Sequence, residues 1–547
     1  MNCLRGFKSL LYGFFFSFVL SIWVRVHGQN IWPMPKSVSF GNRTLSLSSN
    51  FELRTYRSNY LDSSGILNEA FERMMHLVKA GHMLKTDFPD SGIQDSVDIA
   101  LNTFDDMLTS LPVLAGINIA IRSPNETLNF GIDESYYLYV PDTGSILFAR
   151  VEAATVFGAL HALETFSQLC NFNFTTKALE LHSAPLTIYD QPRFPYRGLL
   201  IDTSRHYLPV AVIKSVIDSM SYSKLNVLHW HIVDDQSFPI EVPSYPKLWK
   251  GAYSNSERYT IEDAAEIVKY AEQRGVNVLA EIDVPGHTSS WGFGYRSLWP
   301  SNGCRNPLDV SNEFAFEIID GILLDFRKVF KFKFVHLGGD EVFMGKAPYI
   351  LLFYSELNDN NMTLSDGYRY FVLRAQNIAI SHGYDIINWE ETFNNFGGKL
   401  SPKTVVHNWL GQGVAQKVVA AGLRCIVSNQ DRWYLDHLDV PWQHFYANEP
   451  LTNITDPNQR KLVLGGEVCM WGEQIDTSNI QRTIWPRAAA AAERLWTPLE
   501  KLPKNPREVA LRLAHFRCLL NQRGIQAAPL DGYSRNGPQD PGSCINQ

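Results

Sequence analysis

At 547 residues the chain is too long for one ordinary core and suggests two to three domains, although an α/β barrel can use about 250 residues by itself. Its composition, 45% hydrophobic and 19% charged, is that of a globular protein. A formal charge of -7 without a dense Lys/Arg block lacks the electrostatic footprint of a nucleic-acid binder and leaves a neutral partner as the expectation.

Residues 1–28, MNCLRGFKSLLYGFFFSFVLSIWVRVHG, read as a signal peptide. Arg5 and Lys8 precede an apolar run from Leu10 to Val24, and Val26 and Gly28 are placed for cleavage; an uncleaved anchor is the alternative. No later segment is long and apolar enough to span a bilayer. Asn-x-Ser/Thr sequons at Asn42, Asn125, Asn173, Asn361 and Asn453 agree with passage through the secretory pathway, the vacuole being favoured over the extracellular space. Cys3 leaves with the leader, and the even remainder, Cys170, Cys304, Cys425, Cys469, Cys518 and Cys544, suits an oxidising compartment. Cys518 and Cys544 are the candidate disulfide. None of the spacings is that of a zinc site, and neither a metal nor a cofactor is expected.

Residues 29–180 mix alternating strands, YYLYV at 136–140 and SILFA at 145–149, with a helix from about Val151 to Gln168, which predicts a small α+β domain. From residue 190 to 547 the texture changes. Buried-looking runs recur between helical stretches: RGLLIDTS (197–204), LNVLHWHIVD (225–234), VNVLAEID (276–283), FKFVHLGGDE (332–341), YDIINWE (384–390), TVVHNW (404–409), LRCIVSN (423–429) and LVLGGEVCMW (462–471). Eight near-continuous apolar runs alternating with helices predict an α/β fold, a (β/α)8 barrel followed by a C-terminal helix and tail; a doubly wound open sheet is the alternative, and no GxGxxG favours it.

A barrel displays its chemistry at the carboxyl ends of its strands. Those ends carry Asp202, Arg205, Asp234, Asp235, Asp283, His287, Asp340, Glu341, Trp389, Glu390, Trp409, Trp471 and Glu473, so acids and aromatics converge on one rim. Indoles stack on the CH faces of sugars and carboxylates take their hydroxyls, which suggests a carbohydrate pocket walled by Trp389, Trp409 and Trp471. Trp230, Trp249 and Trp496 read as core. His229 and His231 fall on one side of a strand, where a metal dyad competes with a structural role in the barrel interior.

The ordered motifs RGLLIDTSRHYLP, LHWHIVDDQSFP, AEIDVPGHTSSW, HLGGDE, WYLD, GGEVCMWGE and WPRAAAAAERLW resemble the glycoside hydrolase family 20 β-N-acetylhexosaminidases, most of all the plant type, across essentially the whole mature chain. The resemblance implies exo-hydrolysis of terminal, non-reducing β-linked GlcNAc or GalNAc from N-glycans, chito-oligosaccharides or glycoconjugates, by a retaining substrate-assisted reaction through an oxazolinium ion. By motif, Glu341 matches the general acid and Asp340 the group that orients the 2-acetamido N–H. Tyr434 matches the donor to the acetamido oxygen, and Trp389, Trp409 and Trp471 wall the sugar. Arg205, Asp436 and Glu473 match the ligands of its outer hydroxyls. Asp234 and His287 resemble a supporting pair that orients Glu341 and raises its proton affinity. Because neighbours on an extended strand point apart, Asp340 and Glu341 are poorly placed to reach the two faces of one anomeric carbon, and the family mechanism does not require it. EVFMGKAPY lacks the cysteine that animal enzymes carry after GGDE, which leaves the pairing of Cys304 open, and His437 has no role by resemblance. A homodimer is within the family's habit. A catalytically silent sugar-binding barrel is the competing reading, which release of nitrophenol from an aryl GlcNAc glycoside separates from an enzyme.

Overall fold

The computed structural model describes residues 30–80, 111–144, 146–173, 176–301, 303–342 and 362–530. The expected leader, Asn361 and Cys544 lie outside the described residues.

Six strands, β1 (Ser37–Arg54), β2 (Val113–Ile121), β3 (Tyr136–Val140), β4 (Leu147–Ala153), β5 (Cys170–Asn173) and β6 (Ala178–Asp190), form one sheet in the order β1-β2-β4-β3-β6-β5. Their period of two is visible in β3, where Tyr136, Leu138 and Val140 are buried and Tyr137 is exposed. The helix expected from Val151 begins at Val156 instead. Val151 and Ala153 pair with Leu138 and Tyr136 as part of β4, and Thr155 caps the helix Val156–Leu169 by accepting from the Gly158 N–H at 3.4 Å. Phe166 from that helix and Phe71 from the helix Ile66–Ala80 stack against Phe51 of β1, at 5.6 and 6.2 Å.

Residues 497–530 group with this sheet rather than with the barrel to which the sequence reading attached them. Phe516 of the helix Ala510–Gln522 stacks on Trp32 at 6.1 Å, Arg512 donates to the Ile31 carbonyl at 3.0 Å, and Arg523 pairs with Glu164 at 2.8 Å.

The eight expected runs become eight parallel strands: β7 (Tyr196–Asp202), β8 (Val227–Val233), β9 (Asn277–Ile282), β10 (Phe334–His336), β11 (Asp385–Trp389), β12 (Val405–Asn408), β13 (Arg424–Val427) and β14 (Val463–Met470). β14 pairs back onto β7 from Gly465↔Tyr196 to Met470↔Ile201 and closes the barrel. Near the amino ends the interior is apolar, with Val227, Leu279, Phe334, Ile387, Val405 and Ile426 packed together and Phe130 set edge-on to Phe334 at 5.0 Å. Further along, the buried positions carry His229, His231, Glu281, His336, His407 and Glu467. Aromatic and acidic groups follow at the carboxyl ends.

Asn42, Asn125 and Asn453 are exposed, whereas Asn173 is half-buried and donates to Glu180 at 3.1 Å. Cys518 is disulfide-bonded. Cys170, Cys304, Cys425 and Cys469 are free, so the pairing left open at Cys304 is absent among the described residues. No described helix is long and apolar enough to cross a membrane.

Candidate active site

The strand that leads into GGDE stops at His336, so Asp340 and Glu341 stand on a loop and not on the extended strand expected for them. Gly338 and Gly339 have φ of +58° and +96°, and a Cβ on Gly338 would fall 1.8 Å from Asp283 Oδ1. The Gly339 N–H donates to that same oxygen at 2.8 Å, while the Gly338 carbonyl accepts from Trp389 N–H and Asn388 Nδ2, each at 3.0 Å. Glu341 is left-handed as well, with φ +48°, a conformation that a residue with a Cβ keeps only when its surroundings enforce it. The two acids therefore sit on coiled backbone, and their settings differ. Asp340 is 9% exposed, and its Oδ1 has no hydrogen-bond partner among the described residues; the Glu341 side chain is 51% exposed.

His287, also left-handed at φ +56°, stands between them, with Nε2 at 3.7 Å from both Asp340 Oδ2 and Glu341 Oε2. Its Nδ1 lies 3.1 Å from Asp234 Oδ1. Burial works against a charge on His287, but Asp283, Asp340 and Asp234 around it prevail and push its pKa up to about 12. Burial likewise opposes ionisation of Asp234, yet hydrogen bonds from His231 and His287 and the nearby Arg205 charge hold it well below the usual carboxylate range. His287 is thus a cation. Standing between the two acids, it is placed to orient them.

Leu200, Trp389, Tyr434 and Cys469 form a buried cluster against which Trp409 and Trp471 pack. Trp409 and Tyr434 are nearly parallel, at 6.1 Å and 14°, and Trp471 lies 6.2 Å from the Tyr434 ring. Trp389 is deeper than a rim position implies: it is 1% exposed, stacks on His407 at 4.2 Å and donates its Nε1–H to Glu281 at 3.0 Å. Burial, with the Cys469 thiol beside it, raises the Tyr434 pKa far above the ordinary phenol value, so this hydroxyl stays a donor.

Arg205 joins the acids to the opposite wall. It pairs with Asp202 at 2.9 Å and Asp234 at 2.8 Å, reaches toward Glu473 at 3.8 Å, and lies 5.4 Å from the Trp471 ring. Asp436, with Oδ2 at 3.9 Å from His437 Nε2, has its pKa pushed up to about 6 by burial, with the Glu473 charge acting in the same direction. All the catalytic and substrate-binding residues read from the sequence belong to the barrel unit.

Several groups that the sequence reading left without a role come into contact with them. Asp283 receives the Gly339 N–H, and burial and the Asp340 charge raise its pKa well above the usual carboxylate range. Glu391 accepts the Trp409 indole N–H at 3.0 Å. His229 and His231, the candidate metal dyad, instead meet carboxylates: His229 Nδ1 lies 2.7 Å from Glu467 Oε1, and His231 lies 2.5 Å from Glu281 and 2.8 Å from Asp234. His229, Glu281 and His336 converge closely enough to ligate a cation. The alternation in HWHIVD and AEID carried the one sequence signal of this interior layer.

Comparison with known proteins finds matches over both parts of the chain. The profile described as "Glycosyl hydrolase family 20, catalytic domain" matches residues 194–499, and "beta-acetyl hexosaminidase like" matches residues 31–169. Beta-hexosaminidase 3 of Arabidopsis thaliana is 59% identical over 98% of each chain, and beta-hexosaminidase 1 of the same plant is 53% identical over 94% of each. The X-ray structure of Flavobacterium johnsoniae chitobiase superposes with a TM-score of 0.75 at 29% identity, covering 91% of this chain and 73% of the other.

Proposed function

The chain belongs to glycosyl hydrolase family 20 and is an exo-acting β-N-acetylhexosaminidase that works on the terminal N-acetylhexosamine of glycans, and from that premise we propose both its substrates and its mechanism. The substrates are N-glycans, chito-oligosaccharides or glycoconjugates with a non-reducing β-linked GlcNAc or GalNAc. The mechanism is retaining and substrate-assisted. What carries it is the unlike setting of the two adjacent acids, one buried with an unpartnered oxygen and the other half in solvent.

The 2-acetamido oxygen of the bound sugar attacks the anomeric carbon as the glycosidic C–O bond breaks, and Glu341 gives its proton to the departing oxygen. Asp340 turns its unpartnered oxygen to the acetamido N–H, which orients the amide and stabilises the positive charge of the oxazolinium ion. The Tyr434 hydroxyl donates to the acetamido oxygen from the other side, and Trp389, Trp409 and Trp471 exclude water around the methyl and ring. Water then opens the oxazolinium while Glu341 takes up its proton. Arg205, Asp436 and Glu473 take the outer hydroxyls and close the pocket beyond a terminal sugar, which suits exo-action. Holding an intramolecular nucleophile in attack geometry lowers the barrier by several kcal/mol. A thiazoline mimic of the cyclised intermediate is expected to inhibit strongly. A covalent ester trapped on Asp340 or Glu341 by a 2-fluoro sugar would replace this mechanism with double displacement.

From the leader and the sequons we propose passage through the secretory pathway, with the vacuole favoured over the extracellular space, and from the family's habit a homodimer. A fluorescent C-terminal fusion tests the first and light scattering on the purified chain the second.

A further inference from the structure

Below the rim, the barrel interior holds charged groups that the hydrolytic steps do not touch. Glu281 on β9 is fully buried, and four rings surround its carboxylate. Oε2 lies 2.5 Å from His231 Nδ1 and 3.1 Å from His229 Nε2; Oε1 lies 2.8 Å from His336 Nδ1 and accepts from Trp389 Nε1 at 3.0 Å. The second nitrogen of His231 is 2.8 Å from Asp234 Oδ2, and Asp234 in turn holds Arg205 at 2.8 Å and His287 at 3.1 Å. One carboxylate thus reaches a pocket wall directly, and reaches both the hydroxyl-binding guanidinium and the imidazolium between the two acids through two side chains.

We propose that Glu281 is a positioning residue for the reaction: through His231 and Asp234 it fixes the placement of His287 and Arg205, and through its other oxygen it fixes Trp389. This deepens the reading of the site and rests on it. Charges alternate along the row from Glu281 through His231, Asp234 and His287 to the catalytic pair. Alone, a carboxylate or imidazolium at that depth would be driven neutral, whereas alternation lets each keep its charge. Burial opposes a charge on His231, but Glu281 and Asp234 on its two sides push its pKa up to about 10. Burial opposes the Glu281 charge too, and the histidines around it still hold it well below the carboxylate range.

The groups that face His231 are Glu281 and Asp234, with the Trp471 ring edge-on at 5.0 Å and Asp202 across the β7 register. Those that face His287 are Asp234, Asp283, Asp340 and Glu341. Glu467 supplies the internal control. It is equally buried and engages His229 at 2.7 Å and the Tyr196 hydroxyl at 2.5 Å, and has no direct bond to Asp234 or Trp389 among the described residues.

The test compares E281Q, H231Q and E467Q in the full chain by kcat and KM on an aryl GlcNAc glycoside from acid to alkaline pH, with thermal melting as the fold check. E281Q is expected to lower kcat about tenfold or more with a smaller change in KM, as misplacement of a reacting group does. It should also introduce a new alkaline-side ionisation, because His231 loses one of its two anions. H231Q should lower kcat without that ionisation, and E467Q should keep the parent pH profile. A parent-like profile in E281Q, or the same new ionisation in E467Q, overturns the proposal. If E281Q does not fold, a parent-like kcat in H231Q overturns it. Thiazoline inhibition of the parent enzyme separates this outcome from failure of the substrate-assisted reading.

Discussion

β10 and β11 lie side by side in the barrel, and each is followed by two adjacent acids, Asp340–Glu341 after the first and Glu390–Glu391 after the second. The second pair is fully engaged. Glu390 sits in right-handed backbone, φ -64° and ψ -16°, and accepts from Asn408 Nδ2 and from the Leu410 N–H at 2.9 Å; Glu391 takes the Trp409 indole N–H. Burial pushes their pKa values up to about 7 and about 8, with the Asp340 charge adding to the second. The first pair follows two left-handed glycines, and its members keep an unpartnered oxygen and a half-exposed carboxylate. Adjacency of acids therefore says little by itself. Backbone handedness and the lack of a hydrogen-bond partner for Asp340 Oδ1 among the described residues leave the first pair open while the second braces a wall.

The sharpest way to break this contrast is at Glu341. E341Q is expected to reduce kcat on natural glycans by about 10²–10⁴-fold, and by less on aryl glycosides whose leaving groups need little protonation. E390Q, whose carboxylate serves Asn408 and Leu410, should lose far less. Steady-state rates over leaving groups of different pKa check both, and an equal loss across that series would remove Glu341 from the acid role.

D340A and Y434F address the other half of the contrast. Each is expected to lower kcat on 2-acetamido substrates by about 10²–10³-fold, the scale of losing one preorganised partner of developing charge, while the melting temperature stays near that of the parent. Loss of the cooperative melt would mean that these residues hold the fold instead.

Asp436 gives a smaller, pH-graded effect. With its pKa near 6, it is mostly neutral in acid and mostly anionic near neutrality, so it should repel a sulfate on the sugar's 6-position more strongly as pH rises. The ratio of unsulfated to 6-sulfated GlcNAc turnover is expected to grow several-fold from pH 4.5 to pH 7, and the double variant D436N/H437R to flatten that rise. Efficient turnover of the sulfated substrate at both pH values would refute the like-charge account.

The smallest effect is on stability. A buried carboxyl with a raised pKa keeps a proton that the unfolded chain has already lost, so its contribution is fully present below the ordinary value of 4.5 and declines until pH passes about 7 for Glu390 and about 8 for Glu391. The melting temperature should fall across that window, and E391Q should flatten the fall by about 2–4 °C. An unchanged slope would mean that Glu391 ionises normally.

Much of this was legible in the sequence. Seven of the eight barrel strands fall within their apolar runs and β7 starts one residue before its own, because a strand buried on both faces needs a continuous run whatever its neighbours are. The rim residues were legible for the same reason, since the end of a run locates the end of a strand. What failed locally was the boundary at Val151, where β4 pairing overrode a helical stripe, and the rim placement of Trp389, which its stacking on His407 takes inside.

The sequence alone determined the barrel and the family and marked out the acids proposed for catalysis, because these rest on residue order and on the burial period of single segments. The tertiary structure decided which acids are free and what holds them. Gly338 is left-handed against Asp283, just past the end of β9, and Asn388 from β11; His287 is charged because Asp283, Asp340 and Asp234 surround it; Glu281 gathers rings from β8, β10 and β11. Apart from Asp283 beside His287, these contacts join residues far apart in the chain, and no local pattern encodes which of them will meet once the sheet has closed.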